Sequence, residues 1–376
     1  MSHGISVLHV TDASSSGVLT AVTTIARQQS EDSRFSRVVF AYVLRPDSPD
    51  HATIQSMAGP GVEVERWSDQ LSSRRLLDLA RTLAQRLRTE TYDAVHLHSS
   101  RAGLLGRWIA LTTPHRNRTI YSPHAFAFAY SHWSPVKRTV LWALELIGTV
   151  AGRRLVLNSE SEQRVAQRAF PWTLTAVLAN AVDVAALRTI PRRPEPDQPS
   201  FAHIGRIAPA KAPELFADVA CSVLSQVPGA RARWLGDGER ELLGERADLV
   251  QVSGWLTAEE LHRELASVSA VLFTSRGEGM PMAVLEAQAM GVPIVASRVT
   301  GVVDLVSDGD TGLLGLSAEE LSAALTRILT DPDLAARISA RTAASALKFD
   351  KANIADRALT AYGALVDLKQ EVEAST

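Results

Sequence analysis

A chain of 376 residues exceeds what one ordinary hydrophobic core fills, and at roughly 150 residues per domain it points to two. Apolar residues at 46% with 21% charged residues exclude a disordered chain, and the lone Cys221 excludes an internal disulfide and argues against a cysteine-based zinc site. The formal charge of −2 hides an asymmetry, because residues 1–187 carry 20 Lys and Arg against 15 Asp and Glu while the remainder carries 19 against 26. The basic half suits phosphate or an anionic lipid surface, although scattered surface arginine gives the same count.

The chain starts MSHGISVLHV, with no basic segment and long apolar run of a secretory signal, so a cytoplasmic location is expected. Short Val/Ile/Leu-rich runs then alternate with helical patterns. In the first half the expected strands are Ile5–Val10, Val38–Val43, Ala94–His98, Thr119–Ser122, Leu155–Asn158 and Ala176–Ala179. In the second half they are Phe201–Gly205, Ala232–Gly236, Val250–Gly254, Val271–Thr274 and Pro293–Ala296. Continuous apolar runs of this length suit parallel strands covered on both faces. Helical patterns lie between them at Leu71–Arg88, Glu214–Val227, Ala258–Ser267 and Met282–Met290. The expected fold class is therefore α/β, with two doubly wound Rossmann-like domains.

The most apolar stretch, Thr139 to Gly152, is interrupted by Glu145 and is shorter than the roughly 20 residues of a spanning helix. The helical pattern at Leu71–Arg88 carries an apolar stripe of Leu76, Leu79, Leu83 and Leu87 with arginines on other faces, which suits either an anionic membrane surface or an ordinary packed helix. At Ile190–Ser200, four prolines in eleven residues remove backbone donors, so this reads as a linker. The expected organisation is residues 1–189, a linker at 190–200, a second domain at 201–349, and a C-terminal helix and tail at 350–376 packing back on the first domain. A ligand is expected in the cleft between the domains, outside the carboxyl ends of the strands.

Two segments carry the chemistry. In SRGEGMPMAVLEAQAMG a strand ends in a glycine-containing loop that holds Glu278, and the helix that follows holds Glu286. Gly277 and Gly279 permit close approach of backbone to a ligand, and a carboxylate suits the vicinal diol of a ribose. Both glutamates also fit a plain turn and a solvated helix face. In FAHIGRIAPAKAPEL a strand runs into Gly205 and Arg206, and Lys211 stands just before a helix. A guanidinium and an ammonium beside a helix start neutralise a diphosphate, which exposed loop bases do not necessarily do.

Taken together, the second half resembles the retaining GT-B glycosyltransferases of family 4. The resemblance rests on Gly205-Arg206 followed by Lys211, on Glu278-Gly279-Met280-Pro281 through Leu285-Glu286-Ala287, and on Gly291-Val292-Pro293 with Thr300-Gly301 and Asp308-Gly309 after it. It implies that Arg206 and Lys211 bind the donor diphosphate, Glu286 the ribose, and Glu278 with the Gly279–Pro281 backbone the donor sugar. It places Trp255 and Leu256 at the base, although Trp255 equally suits a core. The first half resembles relatives that build bacterial surface polysaccharides in HLHSSRAGLLGRW and IYSPHAFAF. That implies His124 beside the reacting sugar, with His98 and Ser99 as candidates on the acceptor side.

Two departures stand out. Ala212 follows Lys211 where the family has glycine, and only Gly17 of an expected glycine pair remains in DASSSGV, weakening backbone contact with phosphate there. Gly236-Asp237-Gly238 lacks the further glycine of a dinucleotide fingerprint. The activity implied is transfer of a sugar from a nucleoside-diphosphate sugar, a co-substrate, to a glycan or polyprenyl-linked acceptor, with no obligatory metal or cofactor and no nucleic acid. Peripheral contact with the inner face of the membrane is an extension of that reading. A UDP-sugar 2-epimerase of the same shape and a non-catalytic nucleotide-sugar binder are the alternatives.

Overall fold

The computed structural model describes residues 4–68, 74–194 and 198–368. The chain divides into two compact units, one formed by residues 1–129, 133–181 and 351–376 and the other by 130–132 and 182–350.

The first unit is built on a seven-stranded sheet of order β3-β2-β1-β4-β5-β6-β7, with every pairing parallel. Its strands are β1 (Ile5–Thr11), β2 (Phe35–Val43), β3 (Glu63–Ser68), β4 (Ala94–His98), β5 (Thr119–Ser122), β6 (Arg154–Leu157) and β7 (Leu174–Val177). Alternation along each strand divides the core into two layers. Ile5, Val7, Ala94 and Ile120 face a cluster that includes the C-terminal helix residues Ile354, Ala358 and Tyr362. Leu8, Val10, Val95, Leu97 and Tyr121 face the opposite layer with Leu79, Leu83 and Leu87. The C-terminal helix Ile354–Gly363 thus completes the first unit, packing against the helix Ser16–Glu31.

The second unit has a six-stranded parallel sheet of order β10-β9-β8-β11-β12-β13. Its strands are β8 (Ser200–Ile204), β9 (Arg231–Leu235), β10 (Val250–Val252), β11 (Ala270–Phe273), β12 (Ile294–Ser297) and β13 (Leu313–Gly315). The doubly wound α/β class expected from the sequence is therefore the observed one. β3 and β13 are additional to the expected strands.

The structure sharpens three expectations. The leucine stripe of the helix Arg75–Thr89 is mostly core, with Leu79, Leu83 and Leu87 buried and Leu76 half-buried, as in an ordinary packed helix. Residues 71–73 of that expected helix lie outside the described residues. The proline-rich segment is tied to the second unit where it is described: Arg193 N–H donates to Ala266 O at 2.9 Å, and Arg192 donates to Gly291 O and Val268 O at 2.9 and 2.5 Å. Residues 195–197 of it lie outside the described residues. Finally, Asp350 bridges to Val182, Lys351–Asn353 forms a short 3-10 turn, the last helix runs only over Ile354–Gly363, and Lys369 of its expected span is likewise outside the described residues.

Glu145 has a structural explanation. It meets Arg107 Nη2 at 3.0 Å and accepts from Tyr121 Oη at 2.8 Å, while the guanidinium lies 4.1 Å over the Tyr121 ring. A buried charge pair interrupts the apolar pattern of the helix Pro135–Ala151 on its inner face. Among the described residues no helix is long and apolar enough to cross a membrane.

Candidate functional site

In open parallel sheets ligands bind at the carboxyl ends of strands where the strand order reverses. In the second unit that point lies between β8 and β11, which pair directly while their connections leave in opposite directions. β8 runs into Gly205, Arg206 and Lys211, and β11 runs into the loop carrying Glu278, so the two motifs found far apart in sequence meet there. Lys211 Nζ donates to Glu278 Oε1 at 2.5 Å, with side chains 24% and 14% exposed. A half-buried ion pair at a strand terminus leaves an ammonium that can leave its carboxylate for a more highly charged ligand.

The surrounding loops are laced together by backbone. Arg276 N–H donates to Ala210 O at 2.9 Å, its guanidinium bonds Pro209 O and Glu214, and Thr274 Oγ1 donates to Lys211 O at 2.9 Å. Glu278 N–H donates to Thr300 O at 3.1 Å. Gly301, at φ +79°, is required at this crossing, since a Cβ there would sit 2.6 Å from the carbonyl oxygens of Glu278 and Gly279. Ala212 carries the departure from glycine at a cost, because it adopts the left-handed region at φ 49°.

Glu286 projects from the helix Met282–Ala289, with its side chain 3.7 Å from His262 Nε2. That nitrogen is buried and has no hydrogen-bond partner among the described residues. His262 was not anticipated from sequence, and only its place seven residues after Trp255 hints at the site. Trp255 is 65% exposed, which removes the core reading, and the exposed Arg206 lies 5.8 Å from its ring centroid. Leu256 is half-buried beside it. Gly279, Met280 and Pro281 are buried, so this loop presents backbone more than side chain, and Leu285 is fully buried with no surface to offer a ligand.

In the first unit the reversal lies between β1 and β4. Asp12, just after β1, accepts from Ser99 Oγ and from Ala102 N–H at 3.2 Å, just after β4. Ser99 and His124 both lie at positive φ, 74° and 57°, followed by Ala125 at 106°. Such backbone costs about 1–3 kcal/mol per residue and is typical of functional sites. At His124–Ala125 it is held by Glu162, a buried carboxylate that accepts from Ala125 N–H and Asn158 N–H, both at 2.7 Å. Gly17 lies exposed in the first turn of the helix Ser16–Glu31.

His98, expected on the acceptor side, is instead wholly buried. Its Nδ1 is 2.9 Å from His124 Nε2, and its Nε2 is 3.0 Å from His9 Nδ1. Burial pushes His9 and His124 down to about 4 and His96 and His98 well below the usual histidine value, so all four rings are neutral. His9, His96 and His98 have nitrogens within 4.8 Å of one another, a spacing that a metal ion also satisfies. Each of their ring nitrogens, however, faces a protein partner.

A doubly wound parallel sheet in each unit, with an ammonium, a guanidinium and two carboxylates at one sheet's switch point, defines a two-domain α/β fold of GT-B type. The family model described as Glycosyltransferase Family 4 matches residues 15–186, and that of Glycosyl transferases group 1 matches residues 198–331. The chain belongs to the family 4-like glycosyltransferases of GT-B fold, enzymes that transfer a sugar from a nucleotide sugar. A D-inositol 3-phosphate glycosyltransferase of Actinosynnema mirum is 28% identical over 94% of this chain and 92% of its own length. An Escherichia coli UDP-Gal:alpha-D-GlcNAc-diphosphoundecaprenol alpha-1,3-galactosyltransferase is 27% identical over 62% of this chain and 65% of its own. Among solved structures, Anabaena HepE in complex with UDP and glucose superposes with a TM-score of 0.74 at 20% identity, covering 95% of this chain and 98% of that one.

Proposed function

We propose that the chain transfers the glycosyl group of a UDP-sugar, with retention of anomeric configuration, to a lipid-linked glycan during synthesis of a cell-surface polysaccharide or glycoconjugate. The observation that carries the reading is the Lys211–Glu278 pair at the β8–β11 switch point. Lys211 and Arg206 take the donor diphosphate, Glu286 accepts from the ribose hydroxyls, and Glu278 with the Gly279–Pro281 backbone holds the sugar. Trp255 and Leu256 border the base, and His124 stands beside the reacting sugar, with Ser99 on the acceptor side.

As the glycosidic bond breaks, positive charge grows on the sugar and negative charge on the departing diphosphate. Fixed cations aimed at that charge lower the barrier because they need no rearrangement during the reaction. Two cations already supply the countercharge, so the reaction needs no metal. The uridine assignment is supported by HepE, whose crystal structures hold UDP or UDP-glucose. The alpha-linked product and lipid-linked acceptor are supported by the name of the E. coli relative.

A surface in the first unit supports the same acceptor. On the helix Pro135–Ala151, Val136, Val140, Leu144, Ile147 and Val150 are exposed, between 42% and 75%, at spacings that put them on one face. Trp172 is 48% exposed nearby in the same unit, bonded through Nε1 to Thr149 of this helix. An apolar stripe left in water suits a bilayer surface or a polyprenyl chain. The test is radiolabelled transfer from UDP-, GDP- and ADP-sugars to a polyprenyl-diphosphate-linked acceptor, with the product anomer read by NMR. Transfer from UDP-sugars alone to an axially linked product supports the reading; transfer from GDP- or ADP-sugars, or an inverted product, contradicts it.

A further inference from the structure

The neutral histidines of the first unit form part of a longer chain of hydrogen bonds, and its direction is determined at one end. Val156 O, on β6, can only accept, and Ser122 Oγ donates to it at 2.6 Å. Ser122 has then spent its proton, so it accepts from His96 Nε2 at 2.8 Å, and the neutral His96 carries its proton there. His96 Nδ1 is therefore an acceptor, and Tyr362 Oη donates to it at 2.8 Å. Tyr362 in turn accepts from the Gln29 amide nitrogen at 3.4 Å, which leaves Gln29 Oε1 to accept from His9 Nε2 at 2.7 Å. His9 Nδ1 accepts from His98 Nε2 at 3.0 Å, and His98 Nδ1 accepts from His124 Nε2 at 2.9 Å.

Each donor is thus assigned by the one before it, and no member has a free choice. His9 and His96 are register partners across β1 and β4, and His98 lies two residues beyond His96 on the same face. The helix Ser16–Glu31 supplies Gln29 and the C-terminal helix supplies Tyr362.

We propose that Ser122, His96, Tyr362, Gln29, His9 and His98 are positioning residues that hold His124 in its Nε2–H tautomer, so that its Nδ1 presents a lone pair to a hydroxyl of the bound sugar. The sugar-facing half of this statement rests on the function proposed above; the tautomer half does not. Among the described residues nothing hydrogen-bonds His124 Nδ1, which is the end of the chain that remains open. The arrangement is a lock and not a proton relay. A proton entering at His124 would have to emerge at Val156 O, and a carbonyl cannot pass it on. Reversing all the bonds strips Val156 O of its donor, which biases the tautomers by about 10- to 100-fold. A metal ion at His9, His96 and His98 would have to break the same bonds.

The experiment uses the full chain labelled with 15N-histidine at neutral pH, with long-range proton–nitrogen spectra and His124 assigned by its loss in His124→Gln. The expected result is a protonated Nε2 and an unprotonated Nδ1 on His124. Tyr362→Phe removes one oxygen, frees Gln29 to flip, and should give His124 a mixed tautomer with intermediate nitrogen shifts. Ser122→Ala cuts the chain at its other end and should do the same, which keeps the test open if one variant fails to fold. A protonated Nδ1 in the wild type, an unchanged His124 in both folded variants, or one equivalent of zinc in the purified protein overturns the lock. Tyr362→Phe should also raise the donor or acceptor KM about 3- to 30-fold when assayed well below its melting temperature, a change that a merely structural role would not produce. A shifted tautomer with unchanged kinetics leaves the lock standing and removes His124 from the sugar.

Discussion

Replacing Lys211 by Ala separates the leaving-group role from a structural one. The ammonium sits 2.5 Å from Glu278 with both side chains mostly covered, so its removal leaves a carboxylate without its cation. A fully buried pair broken this way costs about 3–5 kcal/mol and an exposed one about 0–1, and this pair lies between, at about 1–2 kcal/mol. For a unit of this size that lowers the melting temperature by roughly 2–8 °C. The catalytic loss is larger, since deleting one preorganised group opposite developing negative charge slows reactions by about 100- to 1,000-fold. Steady-state transfer at saturating donor, with melting curves on the same samples, reads both quantities. Lys211→Arg keeps the charge and should retain more activity than Lys211→Ala. A kcat within threefold of wild type in folded Lys211→Ala refutes the reasoning.

Glu286→Ala should raise the donor KM by about tenfold with little change in kcat, because a ribose contact persists from ground to transition state; initial-rate kinetics over donor concentration check it. Acid should unfold the first unit early. His9 is held near 4 against an ordinary 6.5, so the unfolded chain binds more protons below pH 6.5 and stability falls as pH drops from there toward 4. By pH 4 His9 alone removes about 3 kcal/mol, and His96 and His98 act in the same direction, which urea midpoints at pH 7 and pH 4.5 will register. Arg107→Leu should destabilise the first unit by about 3–5 kcal/mol by leaving Glu145 buried without its cation, measured by denaturant titration. Val140→Glu with Leu144→Glu should abolish binding to anionic vesicles while leaving transfer to a soluble acceptor analogue intact.

The parallel strands were legible because both faces are covered, which writes them as unbroken apolar runs. β3 was not, because it is the sheet edge: Glu63, Glu65 and Arg66 leave only Val64 and Trp67 as apolar residues, with no run and no clean alternation. β13 is three residues long and ends in glycine, too little for any periodicity. The two loops at the β8–β11 switch point were legible as motifs, since Gly205-Arg206, Lys211 and Glu278 stand at strand ends that a doubly wound order brings together. The histidine chain was only half visible. His96 and His98 could be assigned to one face of β4 by alternation, but Gln29 and Tyr362 are separated by 333 residues and meet only because the last helix returns to the first unit. Glu145 looked like a break in an apolar helix because its partner, Arg107, lies on another element.

The most direct test of the account is a crystal structure of the protein with UDP bound. The account predicts the diphosphate at the β8–β11 switch point, within hydrogen-bond reach of Lys211 and Arg206, with Lys211 drawn off Glu278 and the ribose hydroxyls on Glu286. A diphosphate lodged instead beside Asp12 and Ser99 at the β1–β4 switch point, with the Lys211–Glu278 pair intact, would contradict it.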